Sequence, residues 1–137
     1  PQLAAMPGWD RVRAVGLVDR SEVGGYLLGA RIGIVVYHPV PNYVAAQPNK
    51  LYEYMLAGLP VVASDFALWR DIVVGADCGL VVDPLSPQAI ADAIQRLLSD
   101  EVEAEAMGRR GRAVVQSTYH WEAEGEKLVE LYRSLRP

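Results

Sequence analysis

A seventeen-residue stretch, Pro48-Asn49-Lys50-Leu51-Tyr52-Glu53-Tyr54-Met55-Leu56-Ala57-Gly58-Leu59-Pro60-Val61-Val62-Ala63-Ser64, constrains the fold more than any other part of the chain. It holds a helix start, a helix stop and a strand, with no room for a long connection. Pro48 suits the first helical position, where its missing N–H removes no bond and its fixed φ is already helical. Gly58 can take the left-handed conformation that ends a helix, and Pro60 blocks continuation. Leu59 to Ser64 is then a short buried strand. The opening turn of the helix presents backbone N–H groups that have no partner within it. Lys50 adds a positive charge there, where the helix dipole favours a negative one, so an anion is expected to complete the site.

Strand-length apolar runs alternate with helix-length amphipathic stretches elsewhere, the pattern of a parallel sheet flanked by helices. Val12 to Val18 reads as a strand, followed by a helix through Tyr26 and Ala30 that Ser21 caps. Ile32 to Tyr37 is nearly all apolar and is expected as a strand buried on both faces. The proline-rich segment from His38 to Gln47 is the loop leaving its carboxyl end. Ala67 to Val74 reads as a short helix with Leu68, Trp69 and Ile72 facing inward, and Gly79 to Val82 as another strand. Ser86 and Pro87 open a helix whose apolar face is Ile90, Ala93, Ile94, Leu97 and Leu98. Asp100 with Glu103 resembles a capping box, starting a helix to about Gln116 that is interrupted near Gly108 and Gly111. A last helix, His120 to Leu135, carries Trp121, Leu128, Leu131, Tyr132 and Leu135 at helical spacing. The fold class is α/β, with a Rossmann-like parallel sheet. At 137 residues and 51% hydrophobic content the chain suits a single domain, and its start at Pro1-Gln2-Leu3 suggests a piece of a longer protein.

Several function classes lose support at once. A net charge of -4 and a pI near 5.1, with no basic run, argue against a nucleic-acid partner. One cysteine, Cys78, excludes an internal disulfide and a cysteine-rich metal site, and fits a reducing compartment. No apolar span of about 18 residues is present to cross a membrane. The Gly-x-Gly-x-x-Gly fingerprint and the phosphate loop ending in Gly-Lys-Ser/Thr are both missing. No Asp-x-Asp pair offers itself to a metal, and His38 and His120 lack partners at ligand or triad spacing. His38 reads as a loop hydrogen-bonder, Asp65 as a helix cap and Asp71 as part of a solvated face.

In open parallel sheets ligands bind outside the carboxyl ends of the strands, which here selects the loops Leu17 to Ser21 and His38 to Lys50. Lys50 and Glu53 share a helical face. They can act on one ligand, the lysine on phosphate and the carboxylate on hydroxyls, or form a plain intrahelical ion pair worth roughly 0.2–0.5 kcal/mol. Asn42 and Tyr43, in a loop stiffened by Pro39, Pro41 and Pro48, can turn an amide and a phenol toward a sugar, or serve only as turn residues.

These residues carry a resemblance. Val15-Gly16-Leu17-Val18, the Ala30-to-Tyr37 strand, Pro48 to Ser64, Gly79 to Pro84 and the Ala89-to-Leu98 helix fall in the order of the C-terminal, donor-binding domain of family 4 (group 1) retaining glycosyltransferases of the GT-B fold. The resemblance implies one half of a GT-B fold, residues 1–137 being a single, N-terminally truncated nucleotide-sugar-binding domain. It implies transfer of a sugar from a nucleotide-diphosphate donor, UDP or GDP type, to a carbohydrate or lipid-linked acceptor, with no metal or other cofactor. Glu53 is similar in position to the family's ribose-binding glutamate. The family's other glutamate, on the far side of seven intervening residues, corresponds to Ala45, a departure that gives Asn42, Tyr43 and Lys50 the donor-sugar role. Pro48 replaces a small glycine and cannot donate, which leaves the amides of Asn49 and Lys50 for the diphosphate. The base is expected against the backbone of Leu17, Val18 and Asp19.

The same resemblance implies a missing N-terminal acceptor domain, so the chain alone is expected not to turn over and is assigned no catalytic residue. A cytoplasmic location is expected, with any membrane contact made through the missing domain. Two other functions stand beside this one. A sugar-nucleotide epimerase or a phosphorylase of the same fold would carry a His-Gly-x-Thr-type segment or a pyridoxal lysine in context. A non-catalytic nucleotide-binding or partner-docking module would use the Glu53 helix only as structure.

Overall fold

The computed structural model describes residues 3–135, which form three parallel strands and seven α-helices behind two short 3-10 turns. In chain order the elements are α1 (Arg20–Leu28), β1 (Gly33–Val35), α2 (Pro41–Val44), α3 (Asn49–Leu56), β2 (Val61–Ser64) and α4 (Ala67–Val73). Then follow β3 (Gly79–Val82), α5 (Pro87–Ser99), α6 (Glu101–Thr118) and α7 (Trp121–Ser134). The sheet order is β1-β2-β3, with Val61 beside both Gly33 and Gly79. Parallel neighbours need a crossover, which α3 supplies between β1 and β2 and α4 between β2 and β3.

The central strand is buried at all four positions, and its alternation divides the core in two. Val61 and Ala63 pack with Leu51, Met55, Trp69, Val73 and Cys78 on one side. Val62 packs with Val82, Ala93, Leu97 and Met107 on the other. Helix α6 serves both, through Met107 near its start and Val115 near its end. The expected interruptions of α6 do not occur. Gly108 and Gly111 are instead contact points, since a Cβ on Gly108 would meet the Gly58 carbonyl and one on Gly111 would lie 3.0 Å from Cys78 Cβ.

The amino-terminal third departs most from expectation. Val12 to Val18 is irregular chain, exposed as far as Leu17, because none of the described strands lies beside it to accept its hydrogen bonds. The strand expected over Ile32 to Tyr37 shortens to three residues at the sheet edge, with Ile34 on an open face at 45% exposure. Helix α1 is capped by Asp19 in a reciprocal box with Glu22, two residues before Ser21. Asp65 does not cap α4, whose N-cap is Phe66; its carboxylate pairs with Arg70. Asp71 is exposed as expected. The Ser86 cap holds, its Oγ accepting from the Ala89 amide at 3.2 Å. Asp100 accepts from the Glu103 amide at 3.1 Å, while the Glu103 carboxylate turns to Arg110 at 2.6 Å. No described helix is long and apolar enough to cross a membrane.

Candidate functional site

The carboxyl ends of the strands are joined by a side chain rather than by the ladder. Ser64 is fully buried, accepts the Tyr37 amide at 2.7 Å and donates to the Tyr37 carbonyl at 2.9 Å. This pair fixes where the chain leaves β1 and enters the segment His38 to Gln47. That segment is no plain loop, since Val40 extends into α2, a single turn with Pro41 at its start. Tyr43 on α2 leans on Tyr37 with ring centroids 4.9 Å apart.

Helix α3 follows, and its two faces have different tasks. Leu51 and Met55 are fully buried, which pins the helix to the sheet, while Asn49, Lys50 and Glu53 are exposed. Pro48 stands one position earlier than expected, as the N-cap at φ −73° and ψ 132°, and gives no side-chain cap. Gly58 has the expected positive φ, 78°, just past the helix end. Among the described residues no ion pair joins Lys50 to Glu53, so the plain intrahelical bridge does not form.

A cleft of about 740 Å³ opens beside this helix. It is lined by Arg20 at the start of α1, by Gln47, Asn49, Tyr52 and Glu53 at and before α3, and by a second stretch, Tyr119, His120, Trp121 and Glu124. Its volume is within the roughly 300–1,000 Å³ common for small-molecule sites. Of the residues expected from sequence, Asn49 and Glu53 meet on this cleft; Lys50, Leu17, Val18, Asn42 and Tyr43 are not on its walls. Leu17 stands fully in solvent, and Asp19 caps the helix whose first residue, Arg20, reaches the cleft wall.

Sequence reasoning missed the second wall. It comes from the turn after α6 and the first turn of α7, held against α3 by Tyr119 on Tyr52 with ring centroids 5.0 Å apart. Burial, then the neighbouring Tyr119, raises the Tyr52 pKa, so its hydroxyl keeps its proton and donates to Gln47 Oε1 at 3.0 Å. Three polar or aromatic residues in a row, Tyr119-His120-Trp121, where α6 gives way to α7, were the available signal. The His120 ring, Nδ1 3.1 Å from Glu122, belongs to this wall.

Residues 1–100 match the family model described as glycosyl transferases group 1. The chain belongs to the group 1 glycosyltransferases. It is 41% identical over 83 residues to the D-inositol 3-phosphate glycosyltransferase of Corynebacterium urealyticum, covering 61% of this chain and 19% of that protein. Over 81 residues it is 37% identical to a GDP-mannose-dependent alpha-(1-6)-phosphatidylinositol monomannoside mannosyltransferase of Mycobacterium tuberculosis, covering 59% and 21%. The solved sucrose-phosphate synthase of Thermosynechococcus elongatus superimposes with a TM-score of 0.79 at 35% identity, covering 92% of this chain and 30% of that one. The α/β architecture expected for half of a GT-B fold is therefore present in this group 1 glycosyltransferase chain, which spans about a fifth of the length of the two curated relatives.

Proposed function

We propose that residues 1–137 form the donor-binding half of a retaining glycosyltransferase that takes a sugar from a nucleotide-diphosphate donor. The observation that carries this reading is the meeting of Asn49 and Glu53 on one cleft, at a helix start that no side chain caps. The diphosphate accepts from the amides of Asn49 and Lys50, with the positive end of α3 and the Lys50 ammonium offsetting its charge. Glu53, one turn further on, accepts from the ribose hydroxyls. The base lies by Leu17, Val18 and Asp19, next to Arg20 on the cleft wall. Asn42 and Tyr43 face the transferred sugar. The printed name of the mycobacterial relative makes GDP the first nucleotide to try.

The acceptor, a carbohydrate or a lipid-linked sugar, binds a separate N-terminal domain, and this half does not turn over alone. We place the reaction on the cytoplasmic side, with membrane contact left to that other domain. No protein nucleophile or base is assigned to residues 1–137. Calorimetric titration with GDP, UDP, ADP and CMP, without metal and then with magnesium, tests the reading. One diphosphate is expected to bind without metal, and Glu53→Ala to weaken it about tenfold or more, as loss of charge-assisted hydrogen bonds does. Because Glu53 is exposed, its removal leaves the melting temperature nearly unchanged. Unchanged affinity in a folded Glu53→Ala chain refutes the assignment of that residue.

A further inference from the structure

Residues 45–48, between α2 and α3, are irregular backbone, and they decide where α3 begins. Such a segment has no ladder of its own, so its position depends on what its polar groups bond to. Trp69 reaches it from α4. The indole Nε1–H donates to the Ala46 carbonyl at 2.6 Å, and the Trp69 side chain is fully buried. The ring is held between Phe66, at 4.9 Å between centroids, and Tyr37, at 5.6 Å, both edge-on. The donor therefore cannot swing away without opening the core. The next residue, Gln47, is tied by the Tyr52 hydroxyl. Two aromatic donors, Trp69 from α4 and Tyr52 from α3, hold two consecutive residues of the segment.

Filling the core requires only a ring. An indole N–H buried there also requires an acceptor, and the acceptor it finds is a loop carbonyl two residues before the N-cap of α3. We propose that Trp69 is a positioning residue for the nucleotide site: its N–H sets the Ala46 carbonyl, and through it the start of α3 where Asn49, Lys50 and Glu53 stand. The binding consequence rests on the donor-site reading given under Proposed function.

Trp69→Phe keeps a ring in the core and removes the donor. Amide hydrogen exchange in the full chain reads the loop without any ligand, and calorimetry with GDP and UDP reads the site. The hydrogen-bonded amides at the two ends of the segment, Ala46 on the Tyr43 carbonyl at 3.2 Å and Leu51 on the Pro48 carbonyl at 3.0 Å, are expected to exchange about tenfold faster, the β2 amides to keep their rates, and the nucleotide Kd to rise about three- to tenfold, the range of one hydrogen bond. Unchanged exchange at these two amides, or unchanged affinity, in a folded variant overturns the proposal. An equal rise of exchange in β2 does so as well, because it makes Trp69 a packing residue only. If the wild-type chain binds none of the nucleotides, the donor-site reading falls and takes the binding half of the proposal with it. The exchange comparison still decides whether Trp69 sets the loop. Should the phenylalanine variant fail to fold, benzothienylalanine at position 69 replaces the N–H with sulfur at nearly constant shape and gives the same test.

Discussion

Gly108→Ala should destabilise the fold where α6 crosses the turn that ends α3. In an open helix this change is favourable by roughly 0.8–1 kcal/mol, because alanine restricts the unfolded chain and suits the helix. Here the new Cβ would lie 2.7 Å from the Gly58 carbonyl carbon and closer still to its oxygen. An ordinary contact between carbon atoms needs about 3.5–4.0 Å, so the backbones must part by roughly 0.8 Å or more. The obstacle is main chain on both sides, and no side chain can turn away to relieve it. Overpacking of this kind costs about 1–3 kcal/mol, which outweighs the helical gain and leaves a net loss of about 0–2 kcal/mol, with the larger values expected against rigid backbone. At about 3–5 °C per kcal/mol for a chain of this size, the melting temperature should fall by several degrees. Gly125→Ala in α7, where a Cβ would meet nothing within 4 Å, serves as the control and should raise helicity. Thermal melts by circular dichroism compare the two. Gly108→Ala melting at or above the wild-type temperature would show that α6 and the turn after α3 yield freely, and the close-contact account would be wrong.

Two further outcomes follow from buried groups. Ser64→Ala strands the Tyr37 amide and carbonyl in a dry place, and should cost about 1–3 kcal/mol in urea unfolding; a loss under about 0.3 kcal/mol would mean another group takes over. The Cys78 thiol, buried beside Asp77, is pushed up from its ordinary value near 9 to about 11, burial being the larger cause. The unfolded chain then loses this proton first as pH rises, so the contribution is whole below about pH 9 and lost through about pH 11, on the order of 1.4 kcal/mol per pKa unit. Cys78→Ala should flatten that part of the stability profile; an identical decline in the variant would assign it to other groups.

What the sequence discloses is set by how local each cause is. The Gly58 stop and the Ser86 cap act within a few residues and appear where the chain predicts them, as does most of the apolar face of α5: Ala93 and Leu97 are buried and Ile90 and Ile94 pack beside them, while Leu98, expected on that face, is exposed. The strand at Val12 to Val18 fails because pairing is a property of two segments, and a run of valines does not say whether a neighbour exists. Gly108 and Gly111 look like helix breakers along the chain and become contact points only when Gly58 and Cys78 arrive from elsewhere. The same limit divides the site. Asn49 and Glu53 are legible because one helix carries both, whereas Tyr119 and Trp121 join them only after α6 has crossed both halves of the core.

Helix α3 is only eight residues long, well short of the dozen or more that a helix needs to persist alone in water. It exists because Leu51 and Met55 are driven into the sheet. The groups that would meet a ligand thus have no foundation separate from the hydrophobic interior. Evolution can tune this surface by exchanging outward residues, yet it cannot loosen the helix without loosening the whole molecule. Capacity to bind and capacity to fold should fail together on heating, along one curve.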